Sequence, residues 1–445
     1  MTRGRLKYWI RQELFGPAVQ RLSGVLHLLA FVWRRMLFRT TFVAITGSLG
    51  KTTTKECLAL VLESVGRTYR TYRNQNGPSM VALNILRVRP WHRYAVLEVA
   101  GAAPGMMARS AHLLRPDVAI VLNVLRTHTT AFPGVEQLAE EKALLIGATK
   151  PSGVAVLNRD DPLVASMAHH TDAQVCFFGT TSQADYWADQ VSAKWPGRLE
   201  FVFHRGAGSH LIETQLVGTQ WLAAAVAVVA TGDALGVSVS DTARILRVAE
   251  AFPGRLQPVR VPSGAIILRD DYNGSVDTIE PSLRVLQEAS AHRRLLVVTD
   301  VSDFGRNRKQ RLKYLGSRCP QVADVAVFIG DLAEYGRRRA IEAGMPAENV
   351  QAFSSIQPAA EYLRRELKPG DLMLLKGRTT DHAARIFYAQ LGPVGCWKDY
   401  CAKTMLCDIC WELQITPEQA RQAVVVPRPS GGGQAEDSRD QFGVR

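Results

Sequence analysis

The sequence has no apolar run long enough to cross a membrane. Leu22–Trp33, the stretch that invites the idea, falls short of the ~20 apolar residues a spanning helix needs. No small-residue cleavage site follows it, so it is also a poor signal peptide; the chain runs straight into Arg34, Arg35 and Arg39. Seven cysteines in 445 residues are too few for a disulfide scaffold, and a reducing, cytoplasmic setting is expected. Acid is scarce at the front: Glu13 is the only acidic residue in positions 1–40. No basic patch with interleaved aromatics recurs later, which argues against a nucleic-acid partner. With 47% hydrophobic and 21% charged residues, the bulk is neither disordered nor low in complexity. The length suggests about three domains of ~150 residues.

What is present is an uneven positive charge. Lysine and arginine number 54 against 41 acids, a net charge of +13. Eight bases and one acid fall in residues 1–40, so this segment carries more than half of the excess. Leu22, Val25, Leu26, Leu29, Trp33, Met36 and Leu37 lie near helical spacing and predict a helix with a broad apolar face. Two readings of it stand. One is a helix docked on the next domain. The other is an interfacial membrane contact by residues 1–40, with Arg, Lys and Trp at the headgroups.

Thr41–Ile45 reads as a buried strand, followed by Thr46-Gly-Ser-Leu-Gly-Lys-Thr-Thr-Thr54 and a helical stretch to Glu63. Strand, glycine turn, Lys-Thr, then helix is the geometry that phosphates need. Gly47, Ser48 and Gly50 bring backbone N–H groups round the anion, and Thr53 lies in the first helical turn. Lys51 reaches the β- and γ-phosphates, and the Thr52 hydroxyl suits Mg²⁺. The spacing is shorter than that of the common G-x-x-x-x-G-K-[ST] loop. A second strand ends at Glu98. A third, Pro116–Val124, leads towards His128. In an open α/β sheet such strand ends are where ligands bind. A helical run, Val135–Ile146, carries Lys142.

These residues resemble the Mur ligases, most closely the MurF type that adds a D-alanyl-D-alanine dipeptide. The Thr-Gly-x-x-Gly-Lys-Thr-Thr loop is similar to the family's P-loop. Asn74-Gln-Asn-Gly77 is similar to its Asn-Asn-x-x-Gly segment, which places Asn76 on the substrate side. Asn123-Val-Leu-Arg-Thr-His128 and Asn158-Arg-Asp-Asp161 have counterparts too. The resemblance implies that Thr52 and Glu98 hold one Mg²⁺. It implies a second Mg²⁺ on Glu98, His128 and Lys142, the last carbamylated to a carboxylate on a long arm. Further on, Phe252-Pro-Gly-Arg-Leu-Gln257 resembles the motif that opens the last domain, with Arg255 on phosphate. Asp270-Asp-Tyr-Asn273, followed by Asp277, resembles the segment near the nucleotide and assigns Asp271 and Asn273 to ATP. It is one residue shorter than the family pattern. Leu295–Asp300 with Asp303 and Gly305 resembles a family strand and turn. Gly370–Arg378 resembles the closing motif, with Lys376 and Arg378 on the substrate side.

The fold implied is α/β: a P-loop central domain with a mostly parallel sheet, then a Rossmann-like C-terminal domain. The expected division is a basic amphipathic segment at 1–40, the ATP-binding domain at 41–253, the C-terminal ligase domain at 254–394, a cysteine-rich segment at 395–427 and a disordered tail at 428–445. A smaller β-rich subsection is expected between Ala155 and Leu216. The implied activity is ATP-dependent joining of a carboxylate to an amine through an acyl phosphate. The amine would be an amino acid or peptide.

Two departures from the family bear on substrate. About 40 residues precede the P-loop, fewer than the family's UDP-sugar domain needs. The adenine-side His-Asn-x-x-Asn motif is replaced by Gly218-Thr-Gln-Trp-Leu-Ala-Ala-Ala225, where Gln220 or Trp221 could substitute. A poly-γ-glutamate or secondary-metabolite type of ligase is therefore an alternative, and a non-catalytic nucleotide-binding partner is another. Cys57, Cys176 and Cys319 lie in apolar surroundings and read as core. Cys396, Cys401, Cys407 and Cys410 fall within fifteen residues, and the final C-x₂-C suits half of a structural zinc site. Buried or redox cysteines are the competing reading.

Overall fold

The computed structural model describes residues 15–72, 75–125, 131–299, 308–401, 403 and 405–429, with side chains from residue 23 onward except that of Val276. Asn74, His128, Asp300, Asp303 and Gly305 lie outside the described residues, as does the expected disordered tail from 430.

Helix α1 (Phe15–Met36) opens the described chain. Strands and helices then alternate: β1 (Thr41–Thr46), α2 (Lys51–Glu63), β2 (Thr68–Arg70), α3 (Pro78–Arg87), β3 (Tyr94–Glu98), α4 (Met106–Leu114), β4 (Val118–Val121), α5 (Val135–Gly147) and β5 (Val154–Asn158). Four strands follow: β6 (Gln174–Gly179), β7 (Tyr186–Ser192), β8 (Glu200–Arg205) and β9 (Gly208–Glu213). All nine form one sheet in the order β2-β3-β1-β4-β5-β6-β7-β8-β9. Pairing is parallel as far as β7 and antiparallel through β8 and β9. The parallel strands are unbroken apolar runs because both faces are covered: every residue of β3 and β4 is buried. In β8 burial alternates, with Phe201 and Phe203 inward. The β-rich stretch expected at 155–216 is thus no separate layer. Its hairpins extend the open edge that β6 leaves, and Phe178, Phe201 and Phe203 enter the same core as β1 and α2. Helix α6 (Leu222–Ala234), rich in Ala and Val, is almost wholly buried there too.

A second sheet follows, built from β10 (Gln257–Arg260), β11 (Ile266–Asp270), β12 (Arg293–Val298), β13 (Val325–Ile329), β14 (Val350–Phe353), β15 (Asp371–Lys376) and β16 (Val424–Val425). Its order is β14-β13-β12-β15-β11-β10-β16, parallel from β14 to β11. Helices α7 (Ile279–Glu288), α8 (Arg308–Val322), α9 (Ala333–Glu342), α10 (Ile356–Glu366) and α11 (Ala384–Ala389) accompany it. The cysteine-rich segment does not stand apart. It leads into β16, which pairs with β10. Beyond it, the Val426 and Pro427 carbonyls accept from buried Arg198 at 2.7 and 3.2 Å, and Arg428 pairs with Glu200 and Glu213. Residues 426–428 therefore tie the second sheet to the edge of the first.

Candidate active site

Parallel register puts the C-terminal ends of β1, β3 and β4 on one edge: Ile45 lies opposite Glu98, and Thr46 opposite Val121. The loop after β1 turns at Gly50, which sits at φ +92 and would bring a Cβ to 3.1 Å from Leu122. Glycine is the residue that meets both demands. Asn123, just after β4, braces the loop: its Oδ1 accepts from the Ser48 and Leu49 amides at 3.0 and 2.8 Å. The Lys51 ammonium donates to the Gly47 carbonyl at 2.5 Å and the Ser48 carbonyl at 3.4 Å. It is thus held over the loop where phosphates would lie. Burial lowers its pKa, opposed by Glu98 and reinforced by Arg255.

The Thr52 hydroxyl donates to Glu98 Oε2 at 3.0 Å, and Asn76 Nδ2 donates to Glu98 Oε1 at 2.8 Å. Three residues from three parts of the chain thus meet at one carboxylate, which is 2% exposed. The backbone N–H of Glu98 donates to Thr71 Oγ1 at 3.0 Å, fixing the strand end. Lys142 on α5 is also buried. Burial and the nearby Lys51 charge push its ammonium down to about 7, with Glu141 opposing. Close to neutral pH a substantial share of its amine is therefore unprotonated and available as a nucleophile. Glu141 itself accepts from the Gly105 and Met107 amides at 3.0 and 2.7 Å, anchoring α5 to α4. Hard oxygens at Thr52 and Glu98 fit a Mg²⁺ ion, and a carbamylated Lys142 would match them. Asn158 and Asp161 hold the strand end that leads towards position 128, through the Leu122 carbonyl at 2.8 Å and the Val124 amide at 2.7 Å.

The second domain's motif residues are disposed differently. Gly254 has φ +74 and would place a Cβ 3.0 Å from the Tyr272 Cβ and 3.1 Å from its backbone N, so the 252–255 turn packs closely on the backbone there. Arg255 stacks on Tyr272 at 4.6 Å, and its Nε has no hydrogen-bond partner among the described residues. Lys376, assigned to the substrate side, is 1% exposed. Its ammonium donates to Asp270 at 2.6 Å, Thr278 Oγ1 at 2.9 Å and the Asn273 carbonyl at 3.0 Å. Asp271, assigned to ATP, also points inward. It pairs with buried Arg269 at 3.1 Å, and Arg269 forks onto Asp408 at 2.6 and 3.1 Å. Burial pushes the Asp271 carboxyl up, against the pull of Arg269. Asn273 accepts from the Ser275 amide at 2.9 Å and shapes its own turn. Arg378 bonds Asp381 at 2.7 Å and remains half-buried.

Trp221 is buried in the core and is not placed to stack on a base. Gln220 instead lines a cavity of about 500 Å³ with Gly218, Lys194, Glu280 and Arg284, between the two sheets. The four clustered cysteines line one small cavity with His382. Cys407 Sγ lies 3.3 Å from His382 Nδ1, and Lys403 Nζ lies 3.3 Å from Cys410 Sγ. Among the described residues no group of three or more His, Cys, Asp or Glu is placed to hold a metal ion. Cys57, Cys176 and Cys319 are buried, and burial pushes each thiol up to about 12.

Asn123, Glu141, Arg269, Asp270 and Asp408 were not among the candidates. The doubled Asp270-Asp271 was a usable signal, since each carboxylate takes a different cation. Asp408 gave none: its partner lies 139 residues away.

Comparison with known proteins accords with this geometry. Residues 45–232 match the Mur ligase middle domain, and residues 254–379 match the Mur ligase, glutamate ligase domain. The chain is 30% identical over 370 residues to the UDP-N-acetylmuramoyl-tripeptide–D-alanyl-D-alanine ligase of Mycobacterium leprae, covering 76% of this chain and 70% of that one. It is 30% identical over 275 residues to the Escherichia coli enzyme of the same name, covering 61% and 60%. Among solved structures, MurF from Acinetobacter baumannii superposes with a TM-score of 0.75 at 25% identity, covering 82% of this chain and 79% of that one. The MurF ligase from Thermotoga maritima in complex with ADP gives 0.70 at 25%, covering 83% of each. The chain belongs to the Mur ligase family and is a MurF-like, ATP-binding ligase that forms carbon–nitrogen bonds.

Proposed function

We propose that the enzyme activates a peptide-bearing carboxylate as an acyl phosphate and joins it to the amine of an amino acid or dipeptide, as the names of its relatives describe for a muramoyl tripeptide and D-alanyl-D-alanine. The observation that carries the reading is the meeting of Thr52 and Asn76 on Glu98 beside the Lys51 loop.

In this reading Gly47, Ser48, Gly50 and Thr53 frame the phosphates, and Lys51 leaves its loop carbonyls to neutralise them. Thr52, Glu98, His128 and carbamylated Lys142 would hold Mg²⁺, which offsets charge building on the transferred oxygens. Arg255, free at Nε, would reach the γ-phosphate when the domains close. Asp271 and Lys376 act here as positioning residues for the 270–278 turn, which presents Asn273. Arg378 and Asn76 face the substrate. The carboxylate oxygen attacks the γ-phosphorus and ADP leaves. The amine then attacks the acyl carbon and expels phosphate, losing its proton to solvent or a nearby base.

The enzyme works in the cytoplasm in this reading, with residues 1–40 in peripheral contact with a membrane surface. Structural zinc in the cysteine cavity rests on the shared lining alone. Metal analysis of the purified protein decides it: about one zinc per chain supports it and none ends it. The test of function is ADP release from ATP and Mg²⁺ with paired substrates. Turnover that needs both an acid and an amine, D-alanyl-D-alanine among those tried, supports the reading. Nucleotide binding without turnover on any pair would favour a binding partner instead.

A further inference from the structure

Helix α1 has a broad apolar surface, and the domain covers one side of it. Ala30 and Leu37 are buried against the first sheet's core, with Leu26, Phe31 and Trp33 packed beside them. Trp33 Nε1 donates to the Val88 carbonyl at 2.9 Å. Arg34 and Arg35 also serve this docking. Arg34 donates to the Leu114 and Arg115 carbonyls at 2.6 and 3.0 Å and pairs with Asp117. Arg35 lies over the Phe31 ring and donates to the Leu113 carbonyl. These two arginines, expected at headgroups, are committed to the protein.

The other face is bare. Val25, Leu28, Leu29, Val32 and Met36 follow helical spacing, and each is at least half exposed. Phe38, just past the helix, is 77% exposed and Trp91 is 60% exposed. Trp91 belongs to the same end of the stripe, because Thr40 Oγ1 donates to the carbonyl of its neighbour His92 at 2.8 Å. Arg39, whose guanidinium lies 5.7 Å from the Phe38 ring, and Arg89, two residues before Trp91, are exposed at this end, whereas Arg93 donates to the Val65 carbonyl. The helix contains no acidic residue. None of the helices among the described residues is long and apolar enough to cross a membrane.

We propose that this face of α1 lies in the plane of an anionic phospholipid surface. The stripe enters the headgroup–acyl boundary, Phe38 and Trp91 sit at its end, and Arg39 and Arg89 meet the lipid phosphates. The idea rests on the peripheral contact of residues 1–40 and names its face and its lipid class. A second copy of the chain fits less well, because a two-fold contact would bring like-charged arginine clusters together with no acid on the helix between them.

The test is co-sedimentation of the full chain with vesicles of phosphatidylcholine and phosphatidylglycerol, against vesicles of phosphatidylcholine alone. Binding to the anionic vesicles that weakens with salt is expected. The Leu28→Asn/Val32→Asn variant should bind at least about tenfold more weakly, with unchanged ADP release and circular dichroism. Arg39→Gln/Arg89→Gln should bind less to anionic vesicles only. No binding of the wild-type chain would overturn the peripheral contact itself. Equal binding by the Leu28→Asn/Val32→Asn variant would overturn the stripe while leaving contact by other residues of 1–40. A wild-type dimer in light scattering that this variant abolishes would assign the face to a second copy.

Discussion

The two domains use the same kinds of residue in opposite ways. At the edge of the first sheet, polar side chains converge from two helices, a loop and a strand end: Lys51 over its loop, Thr52 and Asn76 on Glu98, Lys142 nearby. At the edge of the second sheet the motif charges are turned inward. Lys376 is closed on Asp270, and Asp271 and Asp408 both pair with Arg269. The first arrangement holds charge in readiness for a ligand. The second uses charge to fix a turn. Membership of a motif therefore does not fix a residue's job. The partner it finds does.

The largest expected effect lies in the first domain. Lys142→Ala should lower ligation at least about a thousandfold. A short carboxylic acid added in excess should restore part of it. Full activity in the unrescued variant would remove Lys142 from the site. Next comes Lys376→Met, which leaves Asp270 buried without its cation. It should cost about 3–5 kcal/mol of stability, read by denaturant unfolding. A stable protein that has lost only substrate affinity would return Lys376 to the substrate side and break the contrast. Asp408→Asn should cost less, about 1–3 kcal/mol, since Arg269 keeps Asp271 and part of the fork.

A further effect concerns pH. The native Lys142 pKa is near 7 and the ordinary value 10.5. Between these the unfolded chain holds a proton that the native one lacks, so this lysine's penalty grows as pH falls from 10.5 to 7 and is constant below. For the protein with Lys142 uncarbamylated, Lys142→Met should therefore raise the melting temperature more at pH 7 than at pH 10. An equal gain at both would mean that the lysine is not desolvated as described.

Much of the first site was legible because its pieces are local. Strand, glycine turn, Lys-Thr and helix lie within residues 41–63, and β1 and α2 form where the pattern puts them. Glu98 was legible through its place at a strand end. What the pattern did not carry is pairing over distance. Residues 269 and 408, β10 and β16, and Arg198 with Val426 meet only through the fold. Lys376 shows the limit well. The motif names it, but only packing decides that its ammonium faces Asp270. Trp221 is similar: an aromatic beside a nucleotide motif is as good a core residue as a stacking one, and here α6 draws it inward.

The central claim is that a carboxylate of the substrate takes the γ-phosphoryl group. The direct measurement uses an acid substrate labelled with ¹⁸O in that carboxylate, with ATP, Mg²⁺ and an amine, and mass analysis of the phosphate released. One labelled oxygen per phosphate is predicted, because the carboxylate oxygen leaves with phosphorus when the amine attacks. Unlabelled phosphate alongside amide product would contradict the account.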